Sequence, residues 1–224
     1  MKLGVLFSGG KDSYLALQYA SQEHDISCLL TLDSKREDSW MFHTPTIEWT
    51  RLQAQSMEIE QLVQTTSGIK EEELSDLRSI IELAKSKYSV EGIVTGALAS
   101  VYQSTRIQSI CNELSLWCFN PLWQMPQKTL LQELLSNNVE AIISGVAAEP
   151  FDESWLGVQI DSDIVSKLLN LEKSHRINPA GEGGEIESFV INGPLFTKGI
   201  EISKSKKHYS NFSGRLEILE AVLR

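Results

Sequence analysis

The chain has 224 residues, 42% apolar and 22% charged, the profile of an ordinary globular protein large enough for one sizeable domain or two small ones. No stretch approaches the roughly 18 consecutive apolar residues of a membrane helix, and a first strand at residue 3 leaves no room for a signal peptide, so a cytoplasmic protein without a membrane partner is expected. A net charge of -10 counts against gripping nucleic acid through its phosphates, and three cysteines without a C-x-x-C pair suggest neither a disulfide framework nor a cysteine zinc site.

Residues 3–7 (LGVLF) form an apolar strand. Two glycines follow, and from Asp12 the pairs Leu15/Tyr19 and Ala16/Ala20 keep the i, i+4 spacing of a helix. "ISCLLTL" (26–32) is a second buried strand, and Thr44-Pro45 suits a helix start. Leu74, Leu77, Ile81 and Ala84 share one face of a helix over 71–88. "GIVTGA" (92–97) is a strand ending in small residues, followed by a helix over about 99–115 and a short strand at 117–119. Alternating strands and helices predict a parallel sheet with helices on both faces, an α/β domain over residues 1–120.

The pattern loosens at Asn120-Pro121. In the second domain (121–224), "TLLQELL" reads as helix, "EAIISGVAA" as strand and Ile164/Val165/Leu168/Leu169 as helix. After the glycine-rich "PAGEGGEIES" (179–188) come short β-type segments, so this part is expected to be a smaller α+β domain. An uncovered β edge there would support a homodimer.

The turn "SGGKDS" (8–13) joins the first strand directly to the first helix. Glycines let the backbone approach a ligand and take positive φ, and a helix N-terminus favours anions. In open parallel sheets ligands bind beyond the strands' carboxyl ends, where this turn lies. A phosphate fits, yet the sequence carries neither G-x-x-x-x-G-K-[ST] nor G-x-G-x-x-G.

SGGKDS resembles the PP-loop of the ATP pyrophosphatases. That resemblance implies that Ser8, Gly9, Gly10, Asp12 and Ser13 hold the pyrophosphate part of ATP, with Lys11 as charge partner and Mg2+ as cofactor. The stretches MFHTPTIEWTRLQAQSM (41–57), GALASVYQSTRI (96–107), PLW (121–123), DESWLG (152–157) and PAGEGGEIESFVINGPLF (179–196) are together similar to the diphthine-ammonia ligase family. Its members complete diphthamide on a histidine of translation elongation factor 2. The implied reaction is ATP-dependent: the diphthine carboxylate becomes an acyl adenylate, pyrophosphate leaves, and ammonium supplies the amide nitrogen. The chain departs from the family at Asn178, where a histidine is common, at Glu185-Ile186-Glu187-Ser188, where E-Y-E-T is common, and at Glu149-Pro150-Phe151, where a Gly-Leu is usual.

Under that implied reaction, Glu182, Glu185 and Glu187 lie among Gly181, Gly183 and Gly184 and could bind ammonium, take its proton or hold magnesium. Asp152 and Glu153 are substrate-site candidates or a helix cap and first-turn acid. Trp123 and Trp155 are candidates for the quaternary ammonium of diphthine. His43 falls in a segment that by resemblance lies near the nucleotide, and Thr95, Gly96 and Ala97 leave room for adenosine or the activated carboxyl. Gln103 and Arg106, one turn apart on a helix, could present an amide and a guanidinium on one face, the latter to phosphate charge. Two other readings stay open: a PP-loop tRNA-modifying enzyme, disfavoured by charge and cysteine content, and a nucleotide-binding regulatory protein without turnover.

Overall fold

A computed structural model of the chain describes residues 1–34, 46–67 and 70–224, the side chains of 70 and 71 excepted. Five parallel strands, β1 (Lys2–Leu6), β2 (Asp25–Ser34), β3 (Gln61–Thr66), β4 (Gly92–Val94) and β5 (Trp117–Phe119), form a sheet in the order β3-β2-β1-β4-β5. Alternation along the strands sends side chains to two different cores. Leu3, Val5 and Leu29 pack with α1 (Lys11–Ser21) and α2 (Thr50–Met57). Cys28, Leu30, Leu32 and Ile93 pack with α3 (Lys70–Tyr88) and α4 (Val101–Glu113) on the opposite face. The parallel sheet with helices on both faces is as expected from the sequence. The expected helix start at Thr44-Pro45 lies outside the described residues; a 3-10 turn over Ile47–Trp49 leads into α2.

The chain order reverses between β1, which is followed by β2 on one side, and β4 on the other. Such a switch point opens a crevice beyond the strand ends. The loops after β1 and after β4 therefore face each other across it.

A second, antiparallel sheet has the order β7-β6-β9-β8, with β6 Glu140–Ala147, β7 Ile186–Asn192, β8 Ile200–Ser210 and β9 Ser213–Leu223. It is accompanied by α5 (Gln127–Ser136) and α6 (Ser162–His175). The segments read as short and β-like near the C-terminus are thus β7 and a long hairpin, β8-β9. That hairpin turns at Asn211 (φ 50°) and Phe212 (φ 59°), both in the left-handed region. Edge strand β8 carries Lys204, Lys206 and Lys207, exposed charges of the kind that blunt a free edge.

The largest core cluster belongs to both sheets. Tyr14, Leu15 and Leu17 of α1 share it with Leu130, Leu131 and Leu134 of α5, Ala141 and Ile143 of β6 and Val190 of β7. A smaller cluster on the other face of the second sheet joins Ile142, Phe189, Leu216 and Ile218 to Trp49 and Leu52 beside α2. The sheets are packed through these shared cores. β7 comes to lie against the loop that follows β1.

Candidate active site

The loop after β1 turns at Gly9, whose φ of 79° is in the left-handed region that favours glycine. A Cβ there would also collide with Gln53 Oε1. Ser13 Oγ donates to the Gly10 carbonyl (3.0 Å) and receives the Ser8 N–H (3.3 Å), so the turn is closed by its own hydroxyls. The N-cap residue of α1 is Gly10, which has no side chain to cap the helix, and the positive end of that helix faces the crevice.

The loop is held from behind by the second sheet. The Val190 N–H donates to the Gly9 carbonyl (2.9 Å), and Gln53 Nε2 donates to the carbonyls of both Gly9 (2.9 Å) and Val190 (2.7 Å). Ser188 Oγ accepts the Lys11 N–H at 3.1 Å. Gln53, fully buried, thus acts through the loop rather than on a ligand, and Ser188 braces the loop from the cavity wall.

Across the crevice, Thr95 Oγ1 receives the Ala97 N–H at 3.1 Å. Gly96 lies flat on the loop: a Cβ would come within 2.8 Å of Asp12 C and Ser13 N. The glycine-rich segment closes a third side. Glu182 Oε1 accepts the Ala99 N–H (2.9 Å), tying that segment to the loop after β4. Glu185 faces its own segment, accepting the Asn178 N–H (3.0 Å), Asn178 Nδ2 (2.7 Å) and the Gly183 N–H (2.9 Å). Gln127 Nε2 in turn donates to Asn178 Oδ1 at 2.9 Å.

Together these walls enclose a cavity of about 1240 Å3, larger than the roughly 300–1,000 Å3 of a site for one small molecule. Its charged groups are concentrated at the phosphate-type loop. Lys11 Nζ sits 2.9 Å from Asp12 Oδ2, the lysine only 4% exposed. Asp12 Oδ1 and Glu187 Oε2 are buried and have no hydrogen-bond partner. Burial pushes the Glu187 carboxyl up to about 7, against the opposing pull of Lys11. Burial likewise raises the Glu182 carboxyl, with the Ala99 N–H acting to lower it and the Asp12 charge adding to the rise. Among the described residues no group of three or more His, Cys, Asp or Glu is placed to hold a metal ion.

The sequence matches the Diphthamide synthase N-terminal domain over residues 1–118 and the Diphthamide synthase C-terminal domain over residues 126–223. It is 35% identical to the diphthine–ammonia ligase of Bos taurus and 34% identical to that of Homo sapiens, each alignment covering 92% of this chain and 84% of the relative. The chain belongs to the diphthine–ammonia ligase family. A solved structure described as a predicted subunit of tRNA methyltransferase from Methanocaldococcus jannaschii DSM aligns at 19% identity with a TM-score of 0.47, over 86% of this chain and 97% of that one, a likeness too slight to argue from.

Against the family's implied site, the structure brings most of the singled-out residues to one cavity. Ser8, Gly10, Lys11, Asp12, Ser13, Thr95, Gly96, Ala97, Gln103, Glu182, Gly183, Gly184 and Glu187 line it. Gly9 stands behind them at the turn. Glu185 braces the glycine-rich segment, and Arg106 folds back onto its own helix, its guanidinium carbon 3.5 Å from the centroid of the Tyr102 ring. Asp152 caps a 3-10 turn by accepting the Ser154 N–H (2.9 Å), Glu153 follows in that turn, and Trp155 packs edge-on against Phe151 at 5.1 Å. Trp123 is half-buried in the turn after Asn120. None of these last four residues lines the cavity, and His43 lies outside the described residues.

The cavity also has walls that the sequence did not suggest as site residues: Ser100, Gly145, His208 and Arg215. His208 Nε2 pairs with Glu217 Oε2 at 2.7 Å across the β8-β9 hairpin. Ser100 comes with the loop after β4 as the cap of α4, whereas Gly145, His208 and Arg215 are carried to the cavity by the pairing of the second sheet, which no local pattern marks. The departures from the family pattern at Asn178 and at Ile186 and Ser188 have clear places. Asn178 retains a polar link to Glu185, Ser188 uses its hydroxyl on the loop, and Ile186 is buried in the shared core where a tyrosine is usual.

Proposed function

We propose that the protein is an ATP-dependent ligase that converts the carboxylate of diphthine on elongation factor 2 into an amide with ammonium, releasing AMP and pyrophosphate. One observation carries this reading: the Ser-Gly-Gly loop at the head of α1 and a carboxylate of the second sheet with a buried, unpartnered oxygen share one cavity roomy enough for two substrates. A carboxylate has no good leaving group, so ammonia cannot displace its oxygen directly. Transfer of AMP from ATP to that oxygen breaks the bond between the α and β phosphates and creates one.

The chain's own groups divide the work. Ser8, Gly10, Ser13 and the start of α1 receive the pyrophosphate portion, and Lys11 moves from Asp12 towards its charge. Leu30, Leu32, Ile47 and Ile107 provide an apolar wall for the base. Mg2+, where it accompanies the nucleotide, supplies positive charge to the phosphates, and Asp12 Oδ1 is the buried oxygen that fits it. On this reading the hairpin residues His208 and Arg215, which line the cavity, meet the factor around its modified histidine. A cytoplasmic setting goes with that substrate.

Incubation with ATP, ammonium chloride and the diphthine form of elongation factor 2 should yield pyrophosphate, AMP and an amide on the factor, read by mass spectrometry. ADP and inorganic phosphate, or a modified tRNA in place of a modified factor, would overturn the reading.

A further inference from the structure

We infer that Glu187 is the group that receives ammonium and takes its proton, while Glu182 and Glu185 hold the walls of the site. The inference deepens the ligase reading and rests on it. The three glutamates belong to one short stretch of sequence, yet their carboxyls have different partners. Glu182 is engaged by the Ala99 N–H, and Glu185 by three N–H groups of the segment it closes. Glu187 Oε2 is buried and has no hydrogen-bond partner.

An unpartnered carboxylate oxygen in a wall of the cavity is costly unless a ligand arrives with a proton or a positive charge. Its surroundings suit a small ligand. Directly opposite Glu187 on β6 is Gly145, which has no side chain to cover the carboxyl. Its neighbour Ser188 is fastened to the Lys11 N–H, so the carboxyl is held at a set distance from the phosphate loop. A metal ion would want several oxygen ligands at once, and no cluster of that kind stands there among the described residues. Ammonium brings both a charge and donors.

The chemistry needs this group. Ammonium has no free electron pair until it loses a proton, and at neutral pH it is almost wholly protonated. Glu187 accepts one proton, giving ammonia and a neutral carboxylic acid. The freed pair on nitrogen forms the C–N bond with the acyl carbon, the C–O bond to AMP breaks, and AMP departs with the electron pair of that C–O bond. The surplus proton on nitrogen leaves with the AMP phosphate into water, and Glu187 returns its own proton to water as product leaves. A base works best when its conjugate acid titrates near the working pH, and burial pushes the Glu187 carboxyl up to about 7. The titratable and charged groups that line the cavity with it are Lys11 and Asp12 of α1, Glu182 of the glycine-rich segment, His208 of β8 and Arg215 of β9.

The test separates the two halves of the reaction in Glu187→Gln and Glu187→Asp. Factor-dependent exchange of pyrophosphate into ATP reports adenylation; amide on the factor reports the second half. In Glu187→Gln, exchange should stay within about threefold of the unaltered protein, while amide formation from ammonium chloride falls roughly 100-fold or more. Glu187→Asp should recover part of that loss. Hydroxylamine, largely unprotonated at neutral pH, needs no base and should give hydroxamate with Glu187→Gln at close to the unaltered rate. The amide step of the unaltered protein should rise with pH and flatten once Glu187 is ionised above about 7, whereas Glu187→Gln, dependent on ammonia already free in solution, should start far lower and keep rising with pH. Loss of exchange together with amide, or hydroxylamine failing to bypass the change, would overturn the assignment. Absence of exchange in the unaltered protein would instead sink the ligase reading itself.

Discussion

The Val190 N–H donates to the Gly9 carbonyl at 2.9 Å, so a strand of the antiparallel sheet bonds directly to the loop that follows the first strand of the parallel sheet. Gln53 completes the junction by donating to both residues' carbonyls from a fully buried position. Gln53→Leu keeps the bulk and removes both donors, leaving Val190 O without one of its partners. The expected loss is about 1–3 kcal/mol of stability, with weaker nucleotide binding as the loop relaxes. Urea unfolding and titration calorimetry with a non-hydrolysable ATP analogue measure the two effects; if neither moves, the loop does not depend on this junction.

Gly96 is a second point of close approach. An added methyl would lie 2.8 Å from backbone atoms of Asp12 and Ser13, which cannot swing away as a side chain can. Gly96→Ala should therefore displace the start of α1, at a cost of about 1–3 kcal/mol, and should raise the KM for ATP. Retention of both stability and KM would mean that the loop after β4 has slack the packing does not reveal.

Glu187 also leaves a mark on folding. Its carboxyl titrates at about 7 in the folded protein against the usual 4.5. Between those values the folded state keeps a proton that the unfolded chain has released, so the contribution of Glu187 to stability falls as pH rises from about 4.5 to about 7. Glu187→Gln removes this slope and should be the more stable protein on the alkaline side. Urea midpoints taken at about pH 5 and about pH 8 test it: the drop between them should be smaller in the variant.

The hairpin joining β8 and β9 contains a local conflict. Asn211 and Phe212 both have positive φ, the geometry of a turn that prefers Asn-Gly. Phenylalanine is strained in that region, and the residue is 52% exposed, so little packing offsets the strain. Phe212→Gly should raise stability by roughly 0.5–1 kcal/mol, less than the full strain because glycine loses more freedom on folding. A lower thermal midpoint would show that the exposed ring contributes more than the turn loses.

Much of this arrangement was legible where its cause is local. The phosphate-type loop could be recognised because strand, glycines and helix follow one another within a few residues. Strand β3 went unread: Gln61, Gln64, Thr65 and Thr66 break any apolar run, and only its β-branched residues hint at it at the edge of the sheet. Nothing local could show that Ser188 meets Lys11, since 177 positions separate them. The glutamates of the glycine-rich segment were visible as a group, but their separate tasks depend on which backbone N–H each one meets. Asp152 shows the reverse limit, because a capping acid and a binding acid look alike until the Ser154 N–H is seen beneath it.

The shared core has a practical consequence for anyone dissecting the chain. Leu130, Ile143 and Val190 shelter the same helix that carries Tyr14 and Leu17. A gene split near codon 120 would yield two fragments that each expose a broad greasy face and are prone to clump. Co-expression ought to restore solubility, and scanning calorimetry of the intact chain ought to trace a single endotherm.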